Sequence, residues 1–248
     1  MNNAVDKFID MVQESNNIVF FGGAGVSTES NIPDFRSKNG IYKTENKFAY
    51  PPEVMLSHNF FMNNTEEFFN FYKQKMIYKD AKPNDAHYAL AYLEKIGKLK
   101  KVITQNIDGL HQLAGSKNVI ELHGSVYRNY CMDCKKSFEL SYLLKNDTNI
   151  PTCDVCGGIV KPDVVLYEES LDMNDISNAV DAVKSADMLI VGGTSLVVYP
   201  AANLIRYYNG NKLVLINKTE TPYDNRASLV LHDSIGKILN KAINKLNY

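Results

Sequence analysis

Apolar residues in this chain fall into two kinds of run. Short continuous ones cover Ile18 to Phe21, Lys101 to Thr104, Val119 to Leu122, Met188 to Val191 and Lys212 to Ile216, several of them ending in glycine or a polar turn. That pattern predicts strands buried on both faces. Other runs repeat at helical spacing: Val5, Phe8, Ile9 and Val12, then Ala86 to Ile96, Ile176 to Val183, Pro200 to Tyr208 and Ile235 to Ile243. Strand and helix alternate, which predicts an α/β fold with a doubly wound parallel sheet.

Two stretches break the alternation. From Asn39 to Lys82 the chain is rich in aromatic and amide side chains. It predicts a helix over Glu66 to Met76 and reads as a helical insertion over the ligand edge of the sheet. From Tyr127 to Lys161 the chain holds all four cysteines and little else that could build a core. The predicted organisation is a Rossmann-like domain from 1–126 and 162–248, carrying the insertion at about 38–82, with a small zinc-ribbon module at 127–161.

The metal reading rests on spacing. Cys131-Met-Asp-Cys134 and Cys153-Asp-Val-Cys156 leave 18 residues between the pairs, within the window for tetrahedral zinc. Four sulfurs leave no open position for water, so one structural zinc ion is expected, held by Cys131, Cys134, Cys153 and Cys156. A redox CxxC is the competing reading, and two pairs exceed what it needs. A nucleic-acid-binding ribbon is the other, for which Arg128, Lys135 and Lys136 are a thin basic set.

Composition narrows the partners. The chain has 248 residues, 45% hydrophobic and 22% charged, with a net charge of −1. No basic field exists to recruit nucleic acid or an anionic membrane, so neither is expected as a partner. Near the N-terminus the apolar residues alternate with Asp6, Lys7 and Asp10, unlike an export signal. The apolar stretch from Met188 to Ile205 is interrupted by Gly192-Gly193, Thr194-Ser195 and Pro200, so it reads as strand, loop and helix start. A cytoplasmic location is expected, with paired cysteines kept reduced for metal.

Candidate chemistry gathers at strand ends. Gly22-Gly23-Ala24-Gly25 follows the first strand and runs into an expected helix, where glycines would let backbone N–H groups approach a pyrophosphate. Thr28 stands where a third glycine belongs, and no acidic residue ends a second strand about twenty residues on, which disfavours an ordinary dehydrogenase. A glycine turn that merely packs is the lesser, competing reading of this loop. Thr104-Gln105-Asn106-Ile107-Asp108 follows another strand and fits either a ligand site or a polar loop-capping network. Gly193-Thr194-Ser195 and Ile216-Asn217 also end strands. Of the five histidines, His58 and His232 lack a motif, while His87 and His111 fall on helical segments and predict structural hydrogen bonds. His123 ends a strand and precedes Gly124, which leaves room beside the imidazole.

Taken together, the glycine loop with Val26-Ser27, Ile32-Pro33-Asp34-Phe35-Arg36, Thr104 to His111, Glu121-Leu122-His123-Gly124 and the two CxxC pairs resemble the sirtuin family of NAD-dependent protein-lysine deacylases. The resemblance runs from about Asn17 to Ile235. It departs from the family pattern at Asn31, which replaces a glycine but tolerates left-handed backbone, and at Glu168, another glycine position.

The resemblance implies NAD as co-substrate and acylated lysine peptides and proteins as partners, with nicotinamide, free lysine and O-acyl-ADP-ribose as products. It makes His123 the general base, with Asn106 and Asp108 completing the catalytic set. Asp108 and Ile107 would hold the nicotinamide carboxamide, with Ala24 and Ile32 completing that pocket. Phe35 and Arg36 would close over NAD. Gly23, Gly25, Thr28 and Gln105 would line the cofactor, and Gly193, Thr194, Ser195 and Asn217 would hold its phosphates and adenosine ribose beside Ile235. Val165, Leu166 and Tyr167 would form one edge for the peptide and Leu196, Val197 and Val198 the other, the Val165 carbonyl taking the acyl-lysine N–H; apolarity alone also fits a core strand there. Tyr72 and Lys75, three apart on the insertion helix, resemble the Tyr-x-x-Arg pair of desuccinylating members with lysine in place of arginine, and a buried aromatic beside a solvated lysine fits them at least as well; deacetylation is expected, with desuccinylation at most secondary. The rival readings are a protein ADP-ribosyltransferase and a non-catalytic NAD-sensing adaptor.

Overall fold

The computed structural model describes residues 2–43, 48–145 and 149–246. Parts of the expected insertion and module, 44–47 and 146–148, lie outside the described residues.

In chain order the elements are α1 (Asn2–Glu14), β1 (Ile18–Gly22), a 3₁₀ segment (Ala24–Ser30), α2 (Pro52–Met55), α3 (His58–Asn63), α4 (Thr65–Lys75), α5 (Asp85–Lys95), β2 (Leu99–Thr104), α6 (Leu110–Leu113) and β3 (Val119–Glu121). After these come β4 (Gly124–Cys131), β5 (Ser137–Glu139), α7 (Leu140–Lys145), β6 (Val160–Val164), α8 (Met173–Ser185) and β7 (Met188–Gly192). A second 3₁₀ segment (Ala201–Tyr207), β8 (Leu213–Ile216), β9 (Leu229–Leu231) and α9 (Ile235–Leu246) complete the described chain.

The main sheet has strand order β3-β2-β1-β7-β8-β9, and every pair in it is parallel. Alternate residues of β1 serve opposite faces, as the pleat requires. Ile18 and Phe20 join Phe8, Leu90 and Leu239 on the side of α1, α5 and α9. Val19 and Phe21 join Ala179 and Val183 of α8 on the other side. The expected doubly wound sheet is therefore present, with helices on both faces.

Four local expectations change. The chain after β1 and the stretch from Ala201 to Tyr207 are 3₁₀ rather than α-helical. β9 is a three-residue strand beyond β8 that the sequence pattern does not announce. The cysteine-bearing region is also less self-contained than its composition suggests. β4 and β6 pair antiparallel and reach back to Gly124 and Val164, beside His123. Val126, Phe138, Leu143 and Val160 share one core with Phe61, Phe68, Phe71 and Tyr72 of the insertion. The few apolar residues of the module complete their core with those of the insertion. Truncating a ring such as Phe61, fully buried in that shared core, would cost about 3–5 kcal/mol.

Candidate active site

The carboxyl ends of β1, β2 and β7 open into a cavity of about 530 Å³. It lies where the strand order departs from β1 in two directions, the position at which open α/β sheets bind ligands. Gly23, Ala24, Gly25, Ile32, Phe35, Arg36, Gln105, Asn106, Ile107, Asp108 and His123 line it. Gly193, Thr194, Ser195 and Asn217 line it from the other strands, and Val165, Leu166, Tyr167, Val198 and Lys75 from the outer rim.

Five of the sequence-predicted residues stand elsewhere. Thr28 turns its hydroxyl onto the Gly25 carbonyl at 2.9 Å. Ile235 is buried against Gly192. Leu196 is buried in the core while Val197 is largely exposed, and neither lines the cavity. Tyr72 is fully buried, stacked on Phe68 with its hydroxyl unpaired among the described residues. Lys75 therefore faces the cavity without the tyrosine three residues before it.

The glycine loop does something other than expected. The Gly23 N–H donates to the Gly192 carbonyl at 3.3 Å and the Gly25 N–H to the Gly193 carbonyl at 2.8 Å, so neither amide is offered to a phosphate. A Cβ on Gly25 would sit 2.7 Å from Gly193 Cα, and Gly193 itself has φ +60. These glycines let two strand-end loops interlock, backbone against backbone. Asn31, at φ 62, ends the 3₁₀ segment in the left-handed conformation its side chain tolerates.

Beneath the cavity runs a chain of polar groups. Asn106 Nδ2 donates to Ser27 Oγ at 3.0 Å, and the Ser27 hydroxyl donates to Asp108 Oδ2 at 2.6 Å. The Leu110 N–H donates to Asp108 Oδ1 at 2.9 Å. Burial pushes the Asp108 carboxyl up, and the Ser27 and Leu110 donors oppose that shift without cancelling it. Ser27, 1% exposed, lies in the matched glycine-loop motif, whose sequence alone assigns it no role. Nothing local to the glycine loop signals a partner so far along the chain.

His123 is fixed in one tautomer. Its Nδ1 lies 2.9 Å from the Gln105 carbonyl oxygen. A carbonyl only accepts, so Nδ1 carries the proton and Nε2 of the neutral ring keeps its lone pair. Burial lowers the His123 pKa, and the bond to Gln105 partly offsets this. Gly124, at φ +75, would place a Cβ 1.9 Å from the Asp163 carbonyl oxygen; only glycine lets β4 approach β6 so closely directly after the histidine.

Of the other histidines, His87 Nδ1 accepts the Asn84 N–H at 3.2 Å. His111 makes no hydrogen bond through either nitrogen among the described residues. It packs edge-on to His87, with ring centroids 4.8 Å apart. The structural hydrogen bonds predicted for both are thus found for His87 alone.

On the outer rim, the Tyr167 N–H donates to the Leu56 carbonyl at 3.0 Å and the His58 N–H to the Tyr167 carbonyl at 2.9 Å, which ties the insertion to segment 165–167. The Val165 carbonyl accepts no hydrogen bond among the described residues. Tyr42 and Tyr167 share a hydroxyl–hydroxyl hydrogen bond, and the Arg36 guanidinium lies 5.5 Å from the Tyr42 ring centroid. The loop carrying Phe35 and Arg36 is thereby joined to the outer rim.

The four cysteine sulfurs lie within 4.8 Å of one another. Cys131 and Cys156 sulfurs are 3.4 Å apart and those of Cys134 and Cys153 3.6 Å apart. A disulfide needs about 2.05 Å, whereas a tetrahedron of Zn–S bonds of about 2.3 Å has edges of about 3.8 Å. The Val155 N–H, 3.4 Å from Cys153 Sγ, is the kind of donor that steadies a metal-bound thiolate. The group fits zinc. Among the described residues, no helix is long and apolar enough to cross a membrane.

Known proteins match nearly the whole length of the chain. A protein named NAD-dependent protein deacetylase from Clostridium acetobutylicum is 70% identical over 239 residues, 96% of this chain and 98% of its own length. One of the same name from Clostridium tetani is 71% identical over 239 residues, 96% of this chain and 97% of its own. A Sir2 structure with a deacetylated p53 peptide and 3′-O-acetyl-ADP-ribose superposes with a TM-score of 0.89 at 40% identity, covering 97% of this chain and 98% of that one. Another, of Sir2 with a p53 peptide and NAD, gives 0.86 at 39% identity over 98% of each chain. The model of the Sir2 family matches residues 23–200, and the chain belongs to that family.

Proposed function

We propose that this protein removes acetyl groups from protein lysine by transferring them to the ADP-ribose part of NAD, consuming one water after nicotinamide has left and releasing nicotinamide, O-acetyl-ADP-ribose and free lysine. The single observation that carries the reading is the His123–Gln105 hydrogen bond, which leaves the Nε2 lone pair of a neutral imidazole in a cavity shared with Asn106 and Asp108.

When bound, NAD supplies an electrophilic ribose carbon and a nicotinamide leaving group. Residues of the chain do the rest. Asp108, braced by Ser27 and Leu110, and Ile107 hold the carboxamide end, while Thr194, Ser195 and Asn217 hold the phosphates and adenosine ribose. Phe35 and Arg36 cover the site and exclude water, which matters because water would compete with the acyl oxygen. His123 Nε2 takes a proton from a ribose hydroxyl, a contribution of roughly 10²- to 10⁴-fold. The uncommitted Val165 carbonyl takes the N–H of the acylated lysine.

With Tyr72 turned into the core and Lys75 at the cavity without it, acetyl is the preferred group and succinyl a weak alternative. A lone lysine lacks the planar fork that grips a carboxylate. Residues 1–126 and 162–248 form the catalytic domain, and 127–161 the zinc module that braces it. A reducing cytoplasm suits four metal-bound thiolates, and a net charge of −1 favours protein partners over nucleic acid.

The test is stoichiometry. Incubated with NAD and an acetylated peptide, the protein releases one nicotinamide per lysine freed, and none without the acetyl group. Nicotinamide release with an unacetylated protein acceptor would indicate ADP-ribosyl transfer instead, and none under any condition would indicate a sensor.

A further inference from the structure

Segment 164–169 carries the proposed peptide rim, and an ion pair beneath it fixes its path. Lys161, on β6, is only 5% exposed. Its Nζ donates to the Val164 carbonyl at 3.0 Å, the Pro162 carbonyl at 3.3 Å and Glu169 Oε2 at 3.1 Å, which uses all three ammonium protons. Glu169 Oε2 also accepts the Leu166 N–H at 2.9 Å, and the Glu169 N–H returns to the Leu166 carbonyl at 3.0 Å. Its other oxygen, Oε1, meets His58 Nδ1 of the insertion at 2.9 Å. Burial alone would push the Glu169 carboxyl up, but the Leu166 N–H, His58 and Lys161 outweigh it and hold the carboxyl below its usual range.

The turn between has no easy conformation of its own. Glu168 sits at φ 75, the left-handed region a side chain disfavours, and its carboxylate accepts the Asn59 N–H at 2.9 Å. At the other end of the segment the Val165 N–H donates to the His123 carbonyl at 3.1 Å. The same segment is therefore held to the catalytic histidine's backbone on one side and to the insertion on the other.

A buried ion pair adds little net stability over a well-packed apolar pair, but it specifies one geometry. We infer that Lys161 and Glu169 are positioning residues for the acylated peptide: the pair fixes segment 164–169 so that the Val165 carbonyl stands at one place relative to His123. The inference rests on the deacetylase reading.

The experiment compares wild type with Glu169→Ala, Glu169→Gln and the double variant Lys161→Met/Glu169→Leu. It measures melting, kcat and KM for one acetylated peptide, and NAD affinity by calorimetry. Removing both charges leaves no orphaned ion, so the double variant melts close to wild type. Its peptide KM, and that of Glu169→Ala, rises about tenfold while NAD affinity holds and kcat falls less, the signature of lost peptide positioning. Glu169→Gln, which keeps the shape and one acceptor oxygen for the Leu166 N–H and Lys161, recovers most of the loss. A double variant with wild-type peptide KM would overturn the inference by showing that the pair only supports the fold. Should the double variant not fold, the two Glu169 variants decide, and an unchanged peptide KM in Glu169→Ala overturns it equally. If NAD affinity weakens as much as the peptide KM rises, the effect is not positional. A wild type that turns over no acetylated peptide removes the deacetylase reading and this inference with it, a result visible before any variant is made.

Discussion

The Ser27 hydroxyl donates to Asp108 across 2.6 Å while it accepts from Asn106 at 3.0 Å, so one small side chain on the glycine loop links the two polar residues that follow β2. Ser27→Ala leaves Asp108 buried with one donor fewer, at a cost of about 1–3 kcal/mol. The carboxyl, already raised by burial, rises further. Steady-state kinetics should show a higher KM for NAD and weaker inhibition by free nicotinamide, with the peptide KM unchanged. An equal rise in both KM values would place Ser27 in general support of the fold.

His123→Ala should lower deacetylation by at least 10²- to 10⁴-fold while NAD binding, read by calorimetry, persists. The wild-type pH profile carries the sign of the His123 shift. Burial lowers the pKa of this base, so the ring stays neutral, and competent, to a pH below the ordinary histidine value of about 6.5. The acid limb of the kcat/KM profile should therefore fall below pH 6.5. A limb above it would mean that another group titrates.

The fold was legible wherever a single run of side chains decides the structure. β1 and β7 are apolar throughout and buried on both faces, and α9 repeats its apolar residues at helical spacing. Leu229 to Leu231 is too short to stand out from a loop, and only pairing with β8 makes it a strand. The candidate site residues that meet at the cavity stand out as motifs, but their wiring does not. That Gly25 packs on Gly193, that Ser27 reaches Asp108, and that Tyr72 turns away from Lys75 are contacts between distant segments or choices of helix face, which local spacing does not encode. The shared core of the insertion and the cysteine module was hidden for the same reason.

Removing Cys153 should release zinc and loosen the module, since structural zinc binding is worth on the order of 10–16 kcal/mol in isolated fingers. The damage should spread. β4 and β6 run from the cysteines to the neighbourhood of His123, and their core includes the insertion helices. Metal content by atomic emission, melting temperature and activity should fall together. A folded, zinc-free variant with full activity would detach the metal from the catalytic site.

Stability should decline in acid because of two buried imidazoles. Burial lowers the pKa of His87 to about 4 and of His111 to about 3. The unfolded chain takes up protons on both as pH falls below about 6.5, while the folded one does not until far lower. Their contribution is thus intact above pH 6.5 and is lost as pH falls toward 4, by at most roughly 3 kcal/mol per pH unit. Urea unfolding between pH 7 and pH 4.5 measures this, and His111→Phe should flatten the slope. An unchanged slope in that variant would show that His111 is not held neutral.

Mass spectrometry of the small-molecule products, after reaction of the protein with NAD and an acetyl-lysine peptide, tests the proposed activity most directly. The acetyl group should leave the peptide and reappear on ADP-ribose, as O-acetyl-ADP-ribose in equal amount to nicotinamide, and the product should all but vanish in His123→Ala. Free acetate with intact NAD, or a peptide carrying ADP-ribose, would contradict it.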